Sequence, residues 1–244
     1  MPEPRPTALV TRAREDAGSL CDALGARGFA ACLAPLLRRE VDAVGLRDAL
    51  SAHPTPDVLL LTSPASAAAV AANAPDGFAP AVVAAVGPGT ERAAQRRGLR
   101  VDVVSEAGTG VGLVAQLGDL VGRTVLYPRA RVATAATAEA LDTAQAKVID
   151  VVAYDNRPSP EADAALAAAW PVDVVTLLSS SAARRLVAAL ERIGSPLPAA
   201  VVVIGPSTRA TATELGLNVV AEAQEPTVEA VAEAAAAWWR TQRA

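Results

Sequence analysis

The chain has 244 residues, 52% of them apolar, 20% charged and only 3% aromatic, with a formal net charge of −4. Such length and apolar content suit two ordinary globular domains and exclude a disordered chain. The acidic balance is the reverse of the basic footprint of a nucleic-acid binder.

Residues that many reaction classes require are scarce. His53 is the only histidine, in the stretch His53-Pro54-Thr55-Pro56, and reads as a solvated loop residue. Neither a Ser-His-Asp or Cys-His mechanism nor a histidine-based metal site is therefore expected. Cys21 and Cys32 lack C-x-x-C spacing and read as free, mostly buried thiols of a reducing compartment. No secretory leader is expected, because Met1 to Arg14 has no long apolar run and carries Pro2, Pro4 and Pro6. The weakly charged stretch from Val58 to Thr90 is not a membrane span, being divided by Pro64, Pro75, Pro80, Gly87 and Pro88. A cytoplasmic protein is expected.

Along the chain, short apolar runs alternate with Ala-rich helical stretches. Ala8-Leu9-Val10 predicts a strand leading into a helix over 15–26. Val58 to Leu61 leads into 65–72, and Val82 to Val86 into 90–97. Val125-Leu126-Tyr127 leads into 134–144, Val174 to Leu178 into 182–193, and Val201 to Ile204 into 208–215. Apolar runs without polar alternation suit strands buried on both faces, and strands alternating with helices imply parallel sheets. Near the end, Trp238 and Trp239 read either as anchors of a last helix or as a partner surface.

The chain repeats itself. Asp57-Val58-Leu59-Leu60-Leu61-Thr62-Ser63 aligns with Asp173-Val174-Val175-Thr176-Leu177-Leu178-Ser179, and Val86-Gly87-Pro88-Gly89-Thr90 with Ile204-Gly205-Pro206-Ser207-Thr208. Gly98-Leu99 matches Gly216-Leu217, and Thr109 matches Thr227. A second set aligns Thr7-Ala8-Leu9-Val10-Thr11-Arg12-Ala13-Arg14 with Thr124-Val125-Leu126-Tyr127-Pro128-Arg129-Ala130-Arg131. The near-constant offset indicates a duplicated unit, in the order A (about 7–37), B (57–120), A′ (124–155), B′ (173–240). Two small doubly wound α/β domains follow, and the repeat alone would divide the chain once, near residue 122.

In open parallel sheets ligands bind beyond the carboxyl ends of the strands. Here those ends are rich in hydroxyls, glycines and arginines, with Arg12, Arg14, Arg92, Arg129, Arg131, Arg184, Arg185 and Arg209 in or just after them. A helix start already carries partial positive charge, so arginine is electrostatically out of place unless an anion binds there. Any one such turn reads equally well as a Ser/Thr cap with its arginine in water. Six turns at one edge of each sheet favour a polyanion site, although Glu15, Asp16 and Glu91 oppose it locally. No G-x-G-x-x-G or Walker pattern, metal constellation or activated nucleophile is visible, so proton transfer, positioning and shielding remain, without a cofactor.

Several stretches in fixed order carry a resemblance: Val10-Thr11-Arg12, Leu61-Thr62-Ser63-Pro64, Ala85-Val86-Gly87 with Thr90, Val151-Val152-Ala153-Tyr154, Leu178-Ser179-Ser180-Ser181, Ile204-Gly205-Pro206-Ser207-Thr208 and Ala223-Gln224-Glu225-Pro226-Thr227. Together, over almost the whole chain, they resemble the uroporphyrinogen-III synthase family. The resemblance implies two flavodoxin-like, doubly wound parallel-sheet domains joined by a two-stranded linker, with first segments exchanged. Residues 1–34 and 158–244 would form one domain, 46–150 the other, and about 35–45 and 151–157 the linker strands. It implies cyclisation of hydroxymethylbilane, a linear tetrapyrrole with eight carboxylates, with loss of water and inversion of ring D in haem biosynthesis. Tyr154 is the implied general acid or, equally, a prop for the linker. Thr11, Arg12, Ser63, Gly87, Thr90, Arg129, Ser179, Ser180, Ser181, Gly205, Ser207 and Thr208 are the implied substrate-binding residues. A cofactor-free monomer is implied, meeting the upstream bilane-forming enzyme transiently, with neither nucleic acid nor membrane as partner. Where family members more often have two threonines, this chain has Ser207-Thr208. The alternatives from other classes are a two-lobed small-anion binding or sensor module without catalysis, and a flavodoxin-like nucleotide enzyme, which the missing phosphate fingerprint disfavours.

Overall fold

The computed structural model describes residues 5–243; Met1 to Pro4 and Ala244, at the ends of the expected first domain, lie outside the described residues. The chain opens with β1 (Thr7–Val10), α1 (Arg14–Ala26), β2 (Ala30–Leu33) and β3 (Leu37–Val41). It continues through α2 (Ala43–Ala52), β4 (Val58–Leu61), α3 (Pro64–Asn73), β5 (Val82–Ala85), α4 (Pro88–Gln95), β6 (Val103–Val104) and α5 (Gly110–Gln116). Next come β7 (Thr124–Ala130), α6 (Ala136–Thr143) and the long β8 (Lys147–Pro158). The last part holds α7 (Ala162–Ala169), β9 (Val174–Leu177), α8 (Ser180–Arg192), β10 (Val201–Val203), α9 (Pro206–Glu214), β11 (Val219–Glu222) and α10 (Val228–Thr241).

These elements form two compact units. Unit 1 holds the described residues up to Arg38 and from Arg157 onward; unit 2 is Arg39–Asn156. The sheet of unit 1 has the order β2-β1-β9-β10-β11, and its strands are parallel. Counted along the unit, this is the 2-1-3-4-5 order of the flavodoxin-like fold. The other sheet, β3-β8-β7-β4-β5-β6, repeats that spatial arrangement from β8 to β6 with the chain order permuted, since β7 and β8, which take the first two places, follow β4, β5 and β6 in sequence, and it adds β3 at its edge. The expected linker strand over 35–45 ends early: β3 stops at Val41, and the Asp42 carboxylate caps α2 by accepting from Gly45 N at 3.0 Å. The second crossing is the far end of a sheet strand, since β8 runs unbroken to Pro158.

Every residue of β4 and β9 is buried. The reason is helices on both faces: Leu59 and Leu61 join the core under α2, α3 and α4, while Val58 and Leu60 join that under α5 and α6. In unit 1, Leu9 packs on the α7–α8–α9 side and Ala8 and Val10 on the α1–α10 side. The low aromatic content leaves alanine to set the helix–sheet spacing, as Ala232, Ala235 and Ala236 do in α10. Trp239 meets Phe29 edge-on at 6.4 Å and Trp238 at 5.9 Å, which anchors this helix on the core.

The duplication reaches the backbone. Ser63 and Ser179 both cap a helix with a side-chain oxygen, and so do Thr109 and Thr227. Gly98 and Gly216 both leave a helix with positive φ, +82° and +77°, where a side chain is disfavoured. Another glycine is fixed by contact: a Cβ on Gly110 would lie 2.1 Å from Thr137 Oγ1 and 3.0 Å from Cγ2, where α5 meets α6. Gly110→Ala is therefore expected to lower stability by about 1–3 kcal/mol in urea denaturation. Adding Thr137→Ala should recover much of the loss; a double variant as unstable as the sum of the singles would show that the close approach is not the cause.

Candidate functional site

The strand order of unit 2 reverses between β7 and β4, and such switch points are where open α/β sheets bind ligands. A cavity of about 380 Å³ lies there, lined by Thr62 and Ser63 after β4, Tyr127 and Arg129 of β7, and Tyr154 of β8, with Thr109, Thr134 and Thr137 on the helix side. The local sequence builds it simply. Ser63 is extended, at φ −160° and ψ 154°, and its Oγ accepts from Ser66 N at 3.0 Å to start α3. Thr109 starts α5 likewise through Gly112 N. Both caps place a hydroxyl and a helix start at the cavity.

Tyr154 is only 6% exposed, yet it lines the cavity, and its Oη lies 3.0 Å from Ser63 Oγ. The Arg39 guanidinium stacks over its ring, 5.3 Å from the centroid. A phenol in this setting has a hydroxyl partner on one side and a cation over its face. Ser63 Oγ also approaches Ser66 Oγ at 3.2 Å, so its proton has two acceptors to choose between.

Arg129 reaches the same cavity but is engaged inside the unit. Its Nε and Nη2 donate to the two oxygens of Asp150, both at 2.7 Å, and Nη1 donates to the carbonyls of Ala130 and Arg131. The bonds to Asp150 push the guanidinium further up from its ordinary value. Gly87 caps α4 with extended backbone and is half-buried, whereas Thr90 is 2% exposed and packs inward.

Unit 1 carries the matching set at the ends of β1, β9 and β10. Thr11 is 4% exposed and Arg12 half-buried. Ser179 Oγ accepts from Ala182 N and lies 3.1 Å from Ser181 Oγ, while Ser180 Oγ donates to the Ser207 carbonyl at 3.0 Å and ties two turns together. Gly205 caps α9, Ser207 is exposed, and Thr208 at 2% exposure repeats the inward packing of Thr90.

Of the eight arginines noted at strand ends, four have acidic partners: Arg14 with Glu161, Arg129 with Asp150, Arg131 with Asp155 and Arg209 with Glu222. His53 ends α2 as its C-cap and is half-buried. Cys21 and Cys32 are free and half-buried, and burial pushes both thiols up. Among the described residues there is no cluster of potential metal ligands, and no helix is long and apolar enough to cross a membrane. Sequence reasoning missed Arg39, Thr134 and Thr137 as site neighbours, whereas Thr62 lies in a strand-end turn that it singles out. Thr109 had left a signal, its match to Thr227 in the repeat.

Two flavodoxin-like units with hydroxyl-lined strand ends define a two-domain α/β protein. The family model for uroporphyrinogen-III synthase HemD matches residues 18–233, and the chain belongs to the uroporphyrinogen-III synthase family, cyclising lyases of tetrapyrrole biosynthesis. In fold it is similar to a mutant uroporphyrinogen III synthase of the extreme thermophile Thermus thermophilus, at 17% identity over 97% of this chain and 99% of that one, with TM-score 0.61. It is likewise similar to the uroporphyrinogen-III synthetase of Helicobacter pylori, at 16% identity over 96% and 99% of the two chains, with TM-score 0.62. Among curated proteins no relative matches by sequence.

Ser63 has two tasks that substitution can separate. Ser63→Ala removes the cap and the phenol's partner, and should cost about 0.5–2 kcal/mol in urea denaturation. Ser63→Gly, which caps nearly as well, should cost only a few tenths while still removing the hydroxyl. Equal stability losses in both variants would show that capping is not what Ser63 contributes to the fold.

Proposed function

We propose that the chain cyclises hydroxymethylbilane with loss of water and inversion of ring D, with Tyr154 as general acid. The observation that supports this reading is the Tyr154 hydroxyl at a polar, switch-point cavity, 3.0 Å from Ser63 Oγ. The C–O bond of the terminal hydroxymethyl group breaks as the pyrrole nitrogen lone pair pushes the oxygen out. That oxygen takes the phenol proton and leaves as water. Ser63, turning its own proton toward Tyr154, steadies the phenolate left behind. Ring D then attacks the new cationic carbon through its substituted carbon to give a spiro intermediate. The original bridge bond at that carbon breaks, the released cationic bridge carbon is captured by the free α-carbon of ring D, and the proton lost there restores the pyrrole.

Substrate carboxylates have neutral donors available in each unit. These are the helix-start amides and the accessible hydroxyls of Ser63, Ser179, Ser180, Ser181 and Ser207, with Gly87 and Gly205 opening the backbone. Thr11, Thr90 and Thr208 support these turns from inside. Arg12 is the cation of the set with no partner among the described residues, and Arg129 holds the end of β7 in place. In this reading the protein is a cytoplasmic monomer without cofactor, receiving its bilane in transient encounters with the upstream bilane-forming enzyme.

In an assay with hydroxymethylbilane that resolves isomer III from spontaneously formed isomer I, Tyr154→Phe should lower the rate about 10²- to 10⁴-fold, with the fold and isomer choice retained. Wild-type rate would reduce Tyr154 to scaffolding, and normal bilane consumption with a switch to isomer I would assign it to positioning. Activity should also survive EDTA; its loss, with recovery on adding a divalent metal, would contradict the cofactor-free reading.

A further inference from the structure

A second cavity, of about 240 Å³, lies in unit 1 where α7 packs against α8. Leu36, Ser159 and Ala162 line it together with Arg184, Arg185 and Arg192. Arg192 is already matched, its Nε and Nη2 meeting the two oxygens of Asp163 at 2.9 and 2.7 Å. Glu161, also at the start of α7, faces Arg14 at 3.9 Å. The nearby acids thus each have an arginine, and Arg184 and Arg185 have none. Neither guanidinium makes an ion pair or hydrogen bond among the described residues, and the Arg185 Nε–H is sealed from solvent without an acceptor. Arg184 is exposed and Arg185 half-buried, so two adjacent like charges meet at this groove, and an anion arriving from outside would offset their repulsion.

We propose that this groove is an oxyanion site, in which a carboxylate or phosphate group seats against the Nη atoms of Arg184 and Arg185, with the Ser159 hydroxyl as a further donor. The planar guanidinium fork suits both anions, and the apolar wall of Leu36 and Ala162 strengthens the attraction by excluding water. Ser159 N donates to the Leu36 carbonyl at 3.2 Å, so the occupant touches the place where the chain leaves unit 1 for β3 and returns to it from β8.

The experiment is thermal unfolding of the whole chain with sodium phosphate against sodium chloride at equal ionic strength. Phosphate should raise the midpoint saturably, by about 2–4 °C. The rise should vanish in Arg184→Gln/Arg185→Gln, persist in reduced form in Arg185→Lys, and be unchanged in Arg92→Gln, a control at an exposed arginine of unit 2. No phosphate-specific rise in the wild type, or an equal rise in the double glutamine variant, overturns the proposal. If the double variant is too unstable to compare, an undiminished rise in Arg185→Lys does so instead, because the lysine cannot offer the fork. Activity separates the two sources of the anion. A raised KM in the double variant, with phosphate competing against the bilane, assigns the site to a carboxylate of the bilane. Unchanged KM and kcat in phosphate-free buffer assign it to a free oxyanion.

Discussion

The start of β1 is held by a carboxylate 166 residues away, and the order of unit 1 depends on that attachment. Asp173 Oδ2 accepts from Thr7 N at 2.7 Å and from Thr7 Oγ1 at 2.8 Å, and β1 then pairs with β9 in register. Because β1 lies between β2 and β9, the sheet has no continuous centre without it. Unit 2 repeats the device locally: Asp57 Oδ2 accepts from Thr124 N at 2.8 Å, across 67 residues. Loop-closure entropy grows only logarithmically, so closing the longer span costs about 0.8 kcal/mol more than the shorter one. About one buried methylene group offsets that difference. The burden falls on kinetics, since long-range parallel pairing is slow to form.

Much of this architecture was legible in the sequence, because the duplicated stretches are the ones whose conformation is locally dictated. Asp57 and Asp173, Ser63 and Ser179, Gly98 and Gly216, and Thr109 and Thr227 hold the same positions in the two units. Each is a cap, a turn or a strand-start bond that few other residues make. The helices that escaped notice, α2, α5 and α7, are short and lie where the apolar runs fade. Leu46 and Leu50, four apart and fully buried, were the signal for α2, together with Asp42 ahead of them as cap. The uniformly Ala-rich stretch that became α7 has little periodicity to read.

The candidate site was legible as a set of residues and not as a set of contacts. Ser63 and Tyr154 are each candidates from sequence, but their bond joins residues 91 apart, one just after β4 and one on β8, with β7 between those strands. Nothing in either local sequence announces it. Thr90 and Thr208 pose a different question. The Gly-Pro-x-Thr turn puts a threonine at the third helical position, and from sequence its hydroxyl could face either ligand or sheet. At 2% exposure it is buried in both copies. Arg129 lies within the last residues of β7, and its partner Asp150 sits on the neighbouring strand, where pairing Tyr127 with Asp150 puts the carboxylate within reach.

The pairing of strand-end arginines with acids bears on how an anionic substrate is handled. A charge-assisted hydrogen bond contributes about 1.5–3 kcal/mol and a neutral one about 0.5–1.5 kcal/mol. A substrate with eight carboxylates keeps all of them through cyclisation, so charged contacts at each would hold substrate, transition state and product alike. Such uniform binding does not raise the rate of the chemical step, and it slows release of the macrocycle. Neutralising Arg129 with Asp150, Arg131 with Asp155 and Arg209 with Glu222 leaves amides and serine hydroxyls as the main donors at these turns. Many weak bonds that rearrange as the chain closes into a ring suit a reaction whose difficulty is conformational. The arginines then keep a structural task, fixing strand ends so that the neutral donors stay in place.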